Sequence, residues 1–239
     1  MAEHAQTPHN DSRHEAQNDI ENHGIIGDMR SAALVADTGS IDFCCWPDFD
    51  SPSIFTALLD SPKAGIFQLS PILPDARRQQ LYLPETNVLM TRWIAKDAVV
   101  EVTDLMPIAS EVDSLPRLVR RIHVRHGNTA VRMFCRVRHD YSRADTVARM
   151  DDQDVRFEAP GQPALRLSAT TPLQIDDHAA VADFEMKQGD IVEFMLGGAD
   201  DEAVQASQCD CDLKSTVSYW QHWSRHSNYR GRWRATVNR

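Results

Sequence analysis

The sequence predicts an all-β fold of antiparallel strands, either a sandwich or a barrel. Apolar and polar residues alternate along many short segments between residues 20 and 199. Turn residues separate these segments at spacings of roughly 8–12 residues, which is typical of sandwiches and barrels. Strand and helix patterns do not alternate as they do in parallel sheets, so Rossmann and TIM-barrel architectures are disfavoured.

Three hairpins are predicted in the first half of the chain. SAALVAD and SIDFCCW flank Asp37–Gly39, where glycine permits a positive φ. NVLMTRWIA and AVVEVTDLM flank Lys96–Asp97, and RLVRRIHVRH and TAVRMFCRVRH flank Gly127–Asn128. Later strands are predicted in DVRFEA, ALRLSAT, PLQID, AAVADFEM and DIVEFMLGG.

The arginine-rich run from Arg117 to Arg138 belongs to the third of these hairpins. One face of its first strand carries Leu118, Arg120, Ile122 and Val124. The alternation of apolar and polar residues is imperfect, which indicates a sheet with both faces partly covered. We interpret the arginines as the wet face of strands rather than as an anion site.

One short helix is predicted early in the chain. Ser51 is a suitable N-cap, Pro52 suits the first helical position, and IFTALLD continues the helix. Gly65 then restarts extended structure with GIFQLS.

The two ends of the chain differ from the strand-rich middle. Residues 1–19 are polar and without hydrophobic period, which predicts a disordered tail. Residues 200–239 predict a linker and then a helix with an apolar stripe at Val217, Trp220 and Trp223, widened by Tyr219. A second helical pattern through Tyr229, Trp233 and Val237 has no further chain to pack on, and it predicts a larger parent protein.

Composition excludes several classes of partner and compartment. The net charge of -10 disfavours nucleic acid, because phosphate binding needs a basic face. No stretch approaches the about 20 apolar residues of a membrane span, and no secretory signal is present. The five cysteines form an odd set, so free thiols and a cytoplasmic location are predicted.

Asp42, Asp48 and Asp50 are the first candidates for chemistry, because paired carboxylates serve glycoside hydrolysis. Asp48 and Asp50 lie where a strand turns through Pro47, however, and aspartate is common in such turns for local hydrogen bonding. We favour this structural interpretation.

The metal signals are weak. Cys209-x-Cys211 has no second cysteine pair, and His222 and His226 lack the glutamate of a zincin motif. We therefore predict no metal and no cofactor. The aromatic cluster YWQHW, followed by YRGRW, indicates packing against another domain more than sugar stacking.

Several stretches occur in an order and spacing that are specific together. They are NHGIIGDMRSAALVADTGSIDFCCWPDFDSPSIFTALLD, YLPETNVLMTRW, VTDLMP, LPRLVRRIHVRHG with RVRHDYSR, and YWQHWSRHSNYRGRW. Over about residues 20–239 they resemble the N-terminal part of bacterial glycoside hydrolase family 15 proteins, the glucoamylase and trehalase-like enzymes.

The resemblance implies an antiparallel β-sandwich, often called a super-sandwich, then a linker helix and an (α/α)6 barrel. Two glutamates of that barrel hydrolyse the glucosidic bond with inversion. The chain then divides into a tail at 1–19, a sandwich at 20–199, and a linker with the start of a truncated barrel at 200–239. Because both glutamates belong to the absent barrel, no catalytic residue is carried over.

The expected site residues fall into two groups. Trp46, Asp48 and Asp50 are candidates to face the barrel or a glucoside substrate at the domain boundary. In the family pattern an arginine usually stands where this chain has Asp48, which puts a sugar contact or ion pair at that position in doubt. The candidates for interdomain packing are Trp220, Trp223, Tyr229 and Trp233.

The expected function is therefore that of a non-catalytic N-terminal module that packs on a C-terminal (α/α)6 catalytic domain. The alternative is a free-standing sandwich that binds carbohydrate or a protein. A weaker third interpretation is a small sandwich enzyme acting on sugars, such as an epimerase, for which the sequence singles out no His and Glu pair.

Overall fold

The structure is a computed structural model that describes residues 18–59, 63–108, 115–199 and 206–234, with no side chains for 206 and 207. The described residues form sixteen strands in two eight-stranded antiparallel sheets that pack face to face. The predicted antiparallel β-sandwich is confirmed. The predicted tail falls outside the described residues, except for Asn18 and Asp19.

The elements follow in chain order. A short 3-10 helix spans Ile20–Asn22, and one α-helix, α1, spans Ala206–Ser224. The strands are β1 His23–Gly27, β2 Ala32–Ala36, β3 Ser40–Cys45, β4 Ser53–Phe55, β5 Ile66–Pro71, β6 Arg77–Tyr82, β7 Leu89–Ile94, β8 Val99–Leu105, β9 Leu118–His126, β10 Asn128–Arg136, β11 Val147–Asp151, β12 Asp154–Glu158, β13 Leu165–Ala169, β14 Gln174–Asp176, β15 Ala179–Lys187 and β16 Ile191–Gly198.

Sheet A has the strand order β1-β2-β3-β5-β10-β15-β14, with β4 paired to the end of β3. Sheet B has the order β11-β12-β13-β16-β9-β8-β7-β6. The core lies between the sheets, where alternate residues of each strand are buried, as period-two patterning requires. Phe67 of sheet A meets Phe194 of sheet B edge to face, with 6.5 Å between ring centroids.

The core also contains a fully buried ion pair at its centre. Arg120 of β9 and Asp104 of β8 both have no exposed side-chain surface, and their Nε–Oδ1 distance is 2.7 Å. Arg120 also donates across to sheet A, from Nη1 to the Phe67 carbonyl at 2.5 Å and from Nη2 to the Gly39 carbonyl at 2.8 Å. The interpretation of the arginines as a wet face is therefore wrong for Arg120.

The predicted hairpins at Asp37–Gly39 and Lys96–Asp97 are confirmed, since β2 pairs with β3 and β7 pairs with β8. Gly39 has a φ of +88°, and a Cβ there would lie 2.4 Å from the Leu69 carbonyl oxygen. This turn therefore requires glycine both for its backbone conformation and for its close packing.

The predicted hairpin around Gly127–Asn128 is wrong. β9 belongs to sheet B and β10 to sheet A, so the chain crosses between the sheets at Gly127. The connection from β15 to β16 crosses in the same way near Gly189. β9 pairs with β16 and β10 pairs with β15. The continuous segments β9–β10 and β15–β16 therefore pair with each other and bend together at one corner of the sandwich.

The early helix predicted from Ser51 onward is also wrong over the described residues 51–59. Ser53–Phe55 form strand β4, and Phe55 pairs with Cys44. All three residues of this strand are buried, so both of its faces are covered, whereas a surface helix buries only one face. Burial of Ile54 and Phe55 in the core outweighed the local capping signal.

Among the described residues, no helix has the length and apolar character needed to cross a bilayer.

We predict that Arg120→Met lowers the free energy of unfolding by about 3–5 kcal/mol, because it leaves the Asp104 carboxylate buried without a counter-charge. The double variant with Asp104→Leu should recover part of this loss, but the Phe67 and Gly39 carbonyls still lose the hydrogen bonds from Arg120. Gly39 keeps the one from the Leu69 N–H at 3.0 Å. Urea unfolding followed by tryptophan fluorescence measures both effects. The control is Arg132→Met, whose exposed pair with Asp183 contributes about 0–1 kcal/mol. Equal losses in the two single variants would contradict the prediction.

A second prediction concerns the corner at Gly127, which has a φ of +73° and would place a Cβ 2.0 Å from the Asp97 carbonyl oxygen. Gly127→Ala should destabilise the protein through both strain and a backbone clash. Gly161→Ala is the matched control, since its φ is +71° but no atom lies within 4 Å. In the control only the left-handed backbone conformation is unfavourable, so the free energy of unfolding should fall by about 1–2 kcal/mol. Urea midpoints that shift equally in both variants would show that the crossing does not depend on close packing.

Candidate functional site

Helix α1 packs on the outer face of sheet B, which is turned away from the core. Cys209 is buried there, and Leu213 and Val217 pack against the same cluster. The sandwich side of this cluster consists of Val88, Leu105, Val119 and Met195. The helix is therefore part of the folded unit formed by the sandwich.

Ion pairs on the same face hold the helix in place on the sheet. Arg117 makes a two-pronged contact with Asp212, with Nη1–Oδ2 at 3.0 Å and Nη2–Oδ1 at 3.2 Å. Arg121 contacts Asp210 of the helix and also Glu193 of β16, the latter at 3.3 Å. Because each arginine reaches a different carboxylate of α1, both the position and the rotation of the helix are defined.

The contact between the helix and the sheet contains a carboxyl group with a perturbed pKa. Burial raises the pKa of Glu193, and the opposing effect of Arg121 is smaller. Its Oε2 atom is buried without a hydrogen-bond partner among the described residues. Burial and the neighbouring Glu193 raise the pKa of the Cys209 thiol to about 12, so this thiol is inert at neutral pH.

The turn between β3 and β4 lies at one end of the sandwich. Trp46 is buried in the core and precedes Pro47 in a cis peptide bond. Asp48 forms an ion pair with Arg30 of the β1–β2 turn, with Oδ1 2.9 Å from Nη2 and 3.1 Å from Nε. Phe49 projects outward with 76% of its surface exposed. Of the predicted substrate-facing residues, Asp48 and Asp50 thus reach the surface and Trp46 does not.

The same end of the sandwich meets α1. Met29, next to Arg30, has its sulfur 3.0 Å from the hydroxyl of Tyr219. The backbone N–H of Phe49 donates to the Arg30 carbonyl at 2.8 Å, so the two turns are linked to each other. Met29, Phe49, Tyr219 and Trp223 are exposed around these contacts, and Trp233 is exposed in the segment that follows α1. We call these five residues the aromatic rim.

The predicted packing tryptophans have different environments. Trp220 is 9% exposed and stacks edge to face on both Tyr219 and Trp223, with centroids 5.6 and 5.9 Å apart. Trp223 and Trp233 remain 46% and 58% exposed. Trp220 is thus already covered largely by its own chain, whereas the other two are available to a partner.

After α1 ends at Ser224, residues 225–233 form turns and irregular structure, and Arg234 is helical. The second helical pattern is therefore not a helix over residues 225–233. Tyr229 lies in this segment, half-buried, and Val237 lies outside the described residues. Arg234 pairs with Glu85 at 3.1 Å, and this contact ties the segment back to the sandwich.

Two of the three carboxylates first considered for acid–base chemistry, Asp42 and Asp48, each have a partner of their own. Asp42 is buried and accepts from His23 Nε2, with both oxygens at 2.9 Å. The other ring nitrogen of His23 lies 3.0 Å from the Asp19 carbonyl. Asp42 thus fastens the N-terminal 3-10 helix, while Asp48 is engaged by Arg30. Both roles are structural.

Metal-binding side chains are dispersed. Within the described ranges, no three His, Cys, Asp or Glu side chains are grouped so that they could hold a metal ion. His222 and His226 are exposed, with their rings 5.5 Å apart in an edge-to-face contact. All five cysteines are free thiols, and Cys211 is the exposed one.

Comparison with known proteins places this architecture in a family. The family model described as "Trehalase-like, N-terminal" matches residues 12–220. The chain belongs to this family. The match ends at Trp220, so Trp223 and Trp233 of the aromatic rim lie beyond it.

Relatives with assigned names support the same placement. A trehalase of Thermoplasma volcanium is 25% identical over 244 residues, covering 100% of this chain and 39% of that protein. A trehalase of Mycobacterium tuberculosis is 26% identical over 253 residues, covering 92% of this chain and 36% of that protein. Trehalase 1 of Sulfolobus acidocaldarius is 42% identical over 88 residues, 37% of this chain and 15% of that protein. The chain therefore spans well under half the length of these relatives.

Sequence reasoning missed the residues that position the site. Arg117 and Arg121 were read as part of a wet strand face, yet they bind α1. Met29 gave no signal, because its contact with Tyr219 joins residues 190 positions apart. For Arg120 a signal existed, since it shares a strand face with three apolar residues, and a charge on such a face indicates a buried partner.

The pKa of Glu193 leads to a prediction about pH. Because burial raises it above the unfolded value of 4.5, the folded state holds this proton more tightly. The resulting stabilisation is complete below pH 4.5 and is lost as pH rises through the folded pKa. Glu193→Gln cannot titrate, so the wild-type urea midpoint should fall relative to this variant as pH increases from 4.5 to 7.5.

The matched control is Glu185→Gln, at an exposed position of β15. Its urea midpoint should follow the wild type across the same pH range. A wild-type midpoint that runs parallel to that of Glu193→Gln would contradict the prediction.

Proposed function

We propose that this chain is the non-catalytic N-terminal β-sandwich module of a glycoside hydrolase of the glucoamylase and trehalase-like family 15. Its parent hydrolyses α-glucosidic bonds with inversion, in an (α/α)6 barrel that follows the sandwich. The module acts as a scaffold on which that barrel packs. The relatives named trehalase favour trehalose among the glucoside substrates of the parent.

The observation that carries this proposal is the aromatic rim. Large exposed apolar side chains that cluster at one place mark interaction sites, and aromatic residues and methionine are enriched at the centres of interfaces. The rim lies where α1 leaves the sandwich, so a domain that follows α1 in the chain would meet it first. The length of the relatives agrees, because the aligned part is little more than a third of the two that match most of this chain.

The engagement of the acidic residues supports a scaffold rather than an enzyme. Asp42 is occupied by His23 and Asp48 by Arg30, so neither is a free carboxylate facing a cleft. Arg30 is also relevant to Asp48 as the position at which this chain departs from the family pattern. Its side chain is 34% exposed, and its guanidinium supplies a cation beside the position where the family usually has an arginine. We propose that this pair, together with the exposed Asp50, faces the barrel.

The free thiols support a cytoplasmic location for the parent. Disulfides are rare in reducing compartments, and none of the five cysteines is paired.

The proposal is tested with two polypeptides, residues 1–239 and the same reading frame extended through its C-terminal domain. Glucose release from trehalose, maltose and longer maltooligosaccharides is followed for both. We expect no release above buffer from residues 1–239 and turnover from the longer polypeptide. Turnover by residues 1–239, or a reading frame without a C-terminal domain, would contradict the proposal.

The role of the rim is tested in the longer polypeptide by Trp223→Ser. Loss of a central interface aromatic typically costs about 2 kcal/mol or more, so the temperature of inactivation should fall. Met150→Ser, at an exposed methionine of β11 far from the rim, is the control and should leave inactivation unchanged. Trp223→Ser also removes the edge-to-face contact with Trp220 in residues 1–239, so the urea midpoint of that polypeptide measures the loss that is independent of the barrel. The loss in the longer polypeptide should exceed it. Equal inactivation temperatures for the two variants would refute a packing role.

A further inference from the structure

Three arginines lie side by side on the outer face of sheet B, on the three strands nearest its β11 edge. Arg149 of β11 is directly opposite Arg156 of β12, and Arg156 is directly opposite Arg166 of β13. Their strand neighbours Ala148, Val155, Phe157, Leu165 and Leu167 belong to the core, so the arginines point outward. We call these three residues the arginine row.

Such a row is unfavourable without compensation, since like charges directly opposite on neighbouring strands destabilise a sheet. The compensation from the described residues is uneven. Arg156 has a close partner in Glu158, with Nε–Oε1 at 2.9 Å. Arg166 is 3.7 Å from Asp154, whose oxygen is already engaged by Ser168 at 2.7 Å.

Two members of the row have donors for which the described residues supply no acceptor. Arg166 Nη2 is buried, and no hydrogen-bond partner is found for it among the described residues. Arg149 is exposed, and no carboxylate of the described ranges pairs with it. An unsatisfied charged donor carries a desolvation cost. An anion that contacts Arg149 and the 18% of the Arg166 side chain that is exposed would offset the charge of both.

We propose that the arginine row is a binding site for a phosphate group. Guanidinium groups present planar sets of N–H donors that match phosphate oxygens in pairs. The backbones that carry the three arginines are about 5 Å apart from one strand to the next. The next residue along the row is Gly197 of β16, which adds no side chain beside Arg166. Asp154 and Glu158 flank the row, so a compact dianion is favoured over an extended polyanion.

This site is separate from the aromatic rim, and its existence does not depend on the proposed function. The phosphate group comes either from inorganic phosphate or from a sugar phosphate. Binding is measured by isothermal titration calorimetry on residues 1–239 with inorganic phosphate and with glucose 6-phosphate. Ionic strength is held constant with sodium chloride, because surface charges are screened by salt. Glucose serves as the neutral probe.

We expect both phosphates to bind and glucose not to bind. Arg149→Met and Arg166→Met should each weaken binding about tenfold or more, the usual effect of removing a charge-assisted hydrogen bond. Arg132→Met, on the other sheet, should bind as the wild type does. Tighter binding of glucose 6-phosphate would identify a sugar phosphate as the ligand, and equal binding would identify the phosphate group alone.

Arg149 is exposed, so its substitution should leave the fold intact, and a urea midpoint equal to that of the wild type verifies this. The proposal is overturned if neither phosphate binds the wild-type chain. It is also overturned if the folded Arg149→Met variant binds phosphate as tightly as Arg132→Met does.

Discussion

The buried guanidinium of Arg120 joins the two sheets at the centre of the sandwich. Removing a charge from water into a core is costly, and the cost is offset only when the charge is paired and its donors are satisfied. Arg120 meets both conditions, through Asp104 in its own sheet and through the Phe67 and Gly39 carbonyls of the opposite sheet. These directional contacts set how one sheet lies over the other, which apolar packing alone would define less sharply.

Much of the fold follows from local pattern. The alternation within β2, β3, β7 and β8, with short polar connections, was enough to predict their pairing. It was not enough for β9 and β10, because a period of two identifies a strand but does not say which sheet it joins. The short glycine connection at Gly127 is compatible with a hairpin and with a crossing. Only contacts distant in sequence, such as that with Asp97, distinguish the two.

The candidate site, too, could be predicted from the sequence only in part. The aromatic residues near the C-terminal end were recognised as an unusual stripe, and Trp223 and Trp233 are indeed exposed. Met29, which contacts Tyr219, lies 190 positions earlier in the chain, in a turn whose composition carries no sign of this contact. Asp48 stood out against a family pattern, but its partner Arg30 became visible only when the two turns were seen together.

The bent corner formed by β9, β10, β15 and β16 has a consequence for how the domain is made. β9 and β10 supply central strands of both sheets, but their partners β15 and β16 are synthesised only after some fifty further residues. Until then, each has one long side with unpaired backbone groups, of the kind that invites pairing with other chains. Non-local strand pairing is also slow to form. The emerging chain therefore passes through a stage at which it depends on protection from aggregation, and that stage ends only when Gly198 has left the ribosome.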